Sequence, residues 1–223
     1  MVGRERVAVV DPGPDLASHV SALASVLEGA QVVAILLTHG HSDHAAAAPR
    51  LARMVSAPVL GGGPAESALG DGEAVETDAG ELFAVATPGH AREHVCFHWT
   101  ERRALFAGDL LLGKGDTTWV GGYSGCVRDY FASLERVRQL GLRRVYPAHG
   151  PPIADVPRAL ARFESHRRAR LAEVEAFLAE HPEASRHEIM QRIYGSSVPR
   201  SLEAAAEASL DALLEHLGRS VPR

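Results

Sequence analysis

Within six residues the chain places four groups able to bind a metal, His39-Gly-His41-Ser-Asp43-His44, directly after an apolar run at 32–37. His39 and His41 stand two apart in extended chain, so their imidazoles point to one side and can converge on a single ion. Asp43 and His44 come after the chain has turned, and can face a second ion rather than crowd the first. Nitrogen and carboxylate donors with one open position suit a catalytic cation such as zinc and need no thiolate. Alone, a histidine-rich turn would read as a polar loop. Here, however, Pro88-Gly-His90, Gly108-Asp109 and Ala148-His149-Gly150 each follow an apolar strand and supply a further ligand. In a covered sheet, strand ends are where loops gather into a site.

Other residues are open to two readings. Asp11, ending the first strand, either orients a ligand histidine or caps a turn. His94, four residues after His90, either reaches substrate and donates a proton or is a polar loop residue. Lys114, the one lysine among 23 basic residues, either meets an anionic group or is a solvated charge. Arg158, Arg162, Arg167, Arg168 and Arg170 make a basic run, but Glu164, Glu173 and Glu175 favour a salt-bridged solvated helix. Cys96 and Cys126 read as small core residues. His19, His181, His187 and His216 read as surface.

The elements that must hold these groups alternate between strand and helix, which points to a layered fold of both. Strands are expected at 7–10 and 32–37, with helices at 15–27 and 45–55, the latter carrying Pro49 in a first turn or at a kink. Between 57 and 99 short alternating segments and glycine turns predict antiparallel strands, followed by strands at 104–107 and 144–146 and a helix at 130–140. A long helix from 156 to 179 and two shorter ones follow. Ser185-Arg-His-Glu188 has capping-box spacing, and Ser201 is placed to cap the last helix.

The chain has 223 residues, enough for one large domain or one with a small appendage. A net charge of -5 argues against a strongly electrostatic grip on nucleic acid. No apolar run is long enough to span a bilayer, the first residues lack a signal-peptide pattern, and two isolated cysteines suit a reducing compartment, so a cytoplasmic protein is expected.

The ordered set His39-Gly-His-Ser-Asp-His44, His90, Asp109 and His149 resembles the metallo-beta-lactamase superfamily of hydrolases from about residue 7 to 152. The resemblance implies an α+β fold, an αββα sandwich, over residues 1–154, with a small all-helical appendage over 155–223. It implies that His39, His41 and His90 hold one metal, that Asp43, His44 and His149 hold a second, and that Asp109 bridges them. Two zinc ions are expected, with manganese or iron as alternatives, and a metal-bridging hydroxide is the nucleophile; Asp43 then serves as ligand, proton acceptor or both. Pro88-Gly-His-Ala-Arg-Glu-His94, Gly108-Asp-Leu-Leu-Leu-Gly113, Tyr146-Pro-Ala-His-Gly150 and His166-Arg167 bring the match closest to lactamase-like hydrolases with a winged-helix-like C-terminal domain. Glyoxalase II, a thioester hydrolase, is a more distant relative. Two departures stand out. Ala45-Ala46 replaces the usual glycine pair, and relatives carry at least one strand before the Asp-Pro-Gly turn. The first sheet is therefore expected to lack an edge strand, or the recorded sequence to begin at a downstream methionine.

The substrate is open between a small ester or thioester and single-stranded RNA. The resemblance of the appendage favours RNA, whereas its near-neutral balance of 10 arginines against 11 acidic residues and its lack of stacking aromatics disfavour it. A mononuclear iron dioxygenase using two histidines and Asp109 is a third reading, opposed by the complete second ligand set. A regulator with a dormant hydrolase domain is a fourth, opposed by the filling of all seven ligand positions.

Overall fold

A computed structural model describes residues 1–195, 198 and 202–220. The order is β1 (Arg6–Val10), α1 (Ala17–Val26), β2 (Gln31–Leu37), α2 (Ser42–Ala45), α3 (Ala48–Val55), β3 (Val59–Gly61), β4 (Ala74–Thr77), β5 (Gly80–Ala86), β6 (Val95–Trp99), β7 (Ala104–Gly108), α4 (Cys126–Gln139), β8 (Arg144–Pro147), α5 (Val156–Glu180), α6 (Arg186–Tyr194) and α7 (Glu203–His216). The strands form two sheets, β1-β2-β3 and β4-β5-β6-β7-β8.

Period-two alternation divides the strand side chains between two faces. From the first sheet Ala8, Ala34 and Leu36, and from the second Leu82, Ala84, Val95 and Phe97, meet in an apolar layer between the sheets. Val7, Val9, Ile35 and Leu37 face outward against Val20 of α1 and Leu51 of α3. Val85, Cys96, Leu105 and Ala107 face outward on the other side, against Tyr130 and Leu134 of α4 and Leu160 and Phe163 of α5. Helix, sheet, sheet, helix is the expected αββα order. Both cysteines are free and buried. A fourth cluster, including Val174, Ile189, Ile193, Leu210 and Leu213, joins α5, α6 and α7 into the C-terminal helical region.

Several elements depart from the expectation. Val59–Gly61 is not antiparallel to its neighbour: it pairs parallel to β2, because the connection from β2 passes through a helix rather than a hairpin. The helix expected over 45–55 breaks into α2 and α3, with Pro49 in the first turn of α3, where its missing N–H costs nothing. α4 starts at Cys126, four residues earlier than expected. β1 stands at the sheet edge, where Val2 makes an isolated bridge to Ala8. The Ser185 capping box forms as its spacing predicts. Ser201 lies outside the described residues. Among the described residues no strand accompanies α6 and α7, and none of those residues forms a wing. No described helix is long and apolar enough to cross a membrane.

Candidate metal centre

The sheet topology collects the ligand candidates at one edge. β5 and β7 are each antiparallel to β6 and so run the same way, and β8 is parallel to β7. The carboxyl ends of β5, β7 and β8, which lead to His90, Asp109 and His149, therefore lie together. Thr38, just beyond β2, joins this edge through its carbonyl, which accepts from Val95 N at 2.8 Å. His39, His41, His90 and Asp109 form one ligand group and Asp43, His44 and His149 another, the ligand atoms in each lying within 4.8 Å of one another. The seven ligand candidates are thus brought together in two adjacent groups.

Asp109 stands between the groups. Its Oδ2 is 3.7 Å from His90 Nε2, while its Oδ1 is 3.6 Å from His44 Nε2 and 3.5 Å from His149 Nε2. Asp43 Oδ2 lies 3.1 Å from His149 Nε2 and 3.6 Å from His44 Nε2. In the first group His41 Nδ1 is 2.8 Å from His39 Nε2 and 3.0 Å from His90 Nε2.

Outer hydrogen bonds assign the tautomers. His90 Nδ1 faces the Trp119 carbonyl at 2.8 Å, and a carbonyl only accepts, so Nδ1 carries the proton. His44 Nδ1 donates to Asp11 Oδ2 at 2.9 Å. Thr38 Oγ1 donates to the same Asp11 oxygen at 2.7 Å, leaving it to accept from His39 Nδ1 at 3.0 Å. The Nε2 lone pairs of His39 and His90 consequently point inward at His41. His44 Nε2 and Asp109 Oδ1 are buried with no hydrogen-bond partner. Convergent lone pairs and orphaned buried polar atoms are the arrangement a divalent cation satisfies, with partners behind the histidines fixing ring orientation. The residues present fit a metal.

The electrostatics agree. Burial, followed by the neighbouring histidines, holds His39 far below the usual imidazole range, and burial also lowers His90. Burial pulls on His44 in the same sense, but the carboxylates of Asp109 and Asp11 override it and raise His44 to about 10. Burial likewise tends to raise Asp109, and His44 outweighs it, leaving the carboxyl below its ordinary value.

His94 requires a correction. It is 1% exposed, its ring centroid 5.3 Å from that of His39 with the planes tilted by 34°, and its Nδ1 is paired to Thr87 Oγ1 at 2.9 Å. A ring sealed behind a ligand cannot reach substrate, so the substrate-facing role expected of it does not fit. Arg167 also differs from the solvated helix expectation: it is 4% exposed and donates to the Thr118 carbonyl at 2.8 Å. His19 is half-buried, its Nε2 2.7 Å from the Pro12 carbonyl, rather than a surface group. Lys114 is exposed, and His166 pairs with Asp116 at 3.4 Å. Thr38 and Trp119 were not singled out by sequence. Thr38 adjoins the motif and so had a local signal, whereas Trp119 had none.

Beside the second group a cavity of about 470 Å³ opens, with Asp43, His44 and His149 meeting apolar walls from Val10, Phe106 and Tyr146.

The family model of the metallo-beta-lactamase superfamily matches residues 1–78 and 63–149. The chain belongs to this superfamily. It is a hydrolase of the metallo-beta-lactamase fold. Over 228 residues it is 29% identical to the beta-lactamase-like protein 2 homolog of Caenorhabditis elegans, covering 96% of this chain and 75% of that protein. It is 30% identical over 223 residues to an atrochrysone carboxyl ACP thioesterase of Aspergillus chevalieri, covering 92% of this chain and 68% of that one. A solved metallo-beta-lactamase family protein of Thermus thermophilus superposes with a TM-score of 0.80 at 25% identity, covering 98% of this chain and 86% of that one. Superfamily and site therefore agree on metal-dependent hydrolysis.

Proposed function

We propose that the protein is a dinuclear, zinc-dependent thioester hydrolase. His39, His41 and His90 would hold one ion and Asp43, His44 and His149 the other, with Asp109 offering an oxygen to each. The observation that carries this reading is the split of Asp109, one oxygen facing each ligand group. Imidazole and carboxylate donors without thiolate also accept iron or manganese, so the metal is part of the test. The thioester substrate rests on the thioesterase name of a relative and on the apolar cavity wall beside the second ligand group, which suits an acyl chain.

When bound, a pair of divalent ions would supply a water of pKa ~7 and a polarising partner for the scissile carbonyl. Everything else falls to the chain. Asp11 accepts from both Thr38 and His44, so one carboxylate aligns a histidine of each group. Asp43, with its side chain 53% exposed, stands at the open side and is placed to take up the proton of the attacking water as well as to ligate. His39 and His94, buried, close the floor and exclude bulk water. Residues 1–154 carry every proposed ligand, and the helices that follow pack onto that unit as its appendage. Two buried free thiols suit a cytoplasmic setting.

The test is elemental analysis of the purified protein with a screen of acyl thioesters, esters and single-stranded RNA. The expected result is two zinc ions per chain and thioester turnover abolished by His41→Ala. One iron per chain, or RNA cleavage with thioesters untouched, overturns the proposal.

A further inference from the structure

We infer that Trp119 is a positioning residue through which the C-terminal helices hold one wall of the metal centre. The inference rests on the metal-binding reading above and extends it to residues outside the ligand set. His90 lies in the loop after β5, and what orients its ring is the bond from Nδ1 to the Trp119 carbonyl, 2.8 Å long. That carbonyl belongs to the connection between β7 and α4, which carries no regular strand or helix of its own over 117–125. Whatever fixes this connection therefore fixes His90.

The fixing comes from the C-terminal helices. The Trp119 indole N–H donates to the carbonyl of Ala205, in the first turn of α7, at 3.1 Å. One residue before, the Thr118 carbonyl accepts from Arg167 of α5 at 2.8 Å. Burying a guanidinium carries a large desolvation cost, offset in part by this hydrogen bond and by the face of the Tyr130 ring 5.8 Å away. Two residues after, a Cβ placed on Gly121 would come within 2.9 Å of the Ala208 backbone, so α7 presses directly on the connection. Glu215 of α7 accepts from Ser124 Oγ and, at 3.3 Å, from Gly125 N. The indole itself lies 5.6 Å from the His41 ring and 5.7 Å from the His90 ring, touching two ligands of the same group. A continuous path of contacts thus runs from α7 through Trp119 to His90 and His41. Among these contacts none involves Asp43, His44 or His149; Gly113 N of the same connection does donate to the His149 carbonyl at 2.8 Å, but five residues ahead of the stretch from Thr118 onward that α5 and α7 hold.

The geometry dictates an asymmetric effect: loosening the connection weakens the first ligand group and spares the second. The experiment titrates metal-free protein with cobalt(II), following uptake and the visible ligand-field spectrum. Two variants loosen the tether differently. Trp119→Phe keeps a ring and removes the indole donor; Gly121→Ala keeps the indole and pushes α7 away. Both are expected to weaken one of two cobalt sites by about tenfold, the lower end for partners behind a metal ligand, and to alter that site's spectrum. The other site and the melting temperature of the metal-free protein stay near wild type for Trp119→Phe. If Gly121→Ala does not fold, Trp119→Phe decides alone. Wild-type affinity and spectrum in Trp119→Phe overturn the inference, as does equal weakening of both sites, which is general loosening. If wild-type protein binds no cobalt, the metal-centre reading itself falls, and the tether with it.

Discussion

At the scale of single residues, Asp11 does more than its position at a strand end suggests. Its Oδ1 accepts from Thr38 N at 2.8 Å, and its Oδ2 accepts from Thr38 Oγ1 and from His44 Nδ1. All three partners donate, so Asp11→Asn sets an NH2 against a donor and leaves His44 and Thr38 competing for what remains. Zinc affinity, measured by competition with a chromophoric chelator, is expected to fall roughly 10–100-fold while the fold persists. His44 yields a second expectation. In metal-free protein the carboxylates of Asp109 and Asp11 raise it to about 10 against burial. A raised group stabilises fully below its unfolded value near ~6.5 and ceases to do so as pH rises through the folded value. Chemical denaturation of metal-free protein should therefore show stability declining from about pH 6.5 to about pH 10. The His44→Gln variant should lack that slope, and a slope unchanged in this variant would assign it to another group.

At the scale of elements, the end of β7 is a tightly constrained stretch of backbone in the site. Gly108 has φ +47°, and a Cβ there would fall 2.5 Å from Thr38 Oγ1 and 2.8 Å from His94 Nε2. Gly108→Ala is expected to cost about 1–2 kcal/mol for the left-handed conformation alone, with further loss from displacing Thr38 and hence His39. A denaturation midpoint equal to wild type would show that the strand end yields without strain. The same edge explains what was legible in the sequence. His39, His41, Asp43, His44, His90, Asp109 and His149 each sit in a short polar break after an apolar run, and polar breaks in a covered sheet end at one edge. The parallel pairing of β3 was not legible, because Gly61-Gly-Gly-Pro64 resembles a hairpin turn and three residues of strand carry too little pattern to reveal direction. Nor was Trp119, whose partner Ala205 lies 86 residues further along the chain. Nor was the burial of Arg167, since its neighbours Arg168, exposed, and Arg170, half-buried, pair with Glu164 and Glu173 as a solvated helix would.

At the scale of the whole molecule, α5 belongs to two cores at once. Val156, Ala159, Leu160 and Phe163, along its first two turns, are buried, and three of them lie in the cluster that covers the outer face of the second sheet. Val174 and Leu178, further along, are buried in the cluster of α6 and α7. A division after residue 154 thus leaves the sandwich without part of its outer layer, and the appendage is structurally continuous with the hydrolase core. Ala212 of α7 also reaches that outer cluster. If the two cores were independent, Phe163→Ala would lower the stability of the sandwich alone and leave an unfolding step for α6 and α7 at its wild-type position. The continuity of α5 predicts a single cooperative transition shifted as a unit. Phe163 is 1% exposed, and emptying such a site costs about 3–5 kcal/mol. Urea unfolding in a Trp119→Phe background, followed by far-ultraviolet circular dichroism for the helices and by fluorescence of Trp99 in β6 for the sandwich, should give coincident curves before and after Phe163→Ala. Curves that separate before Phe163→Ala would make the C-terminal helices a separate folding unit. The tether through Trp119 would then act across a domain interface, and metal uptake would be sensitive to its opening.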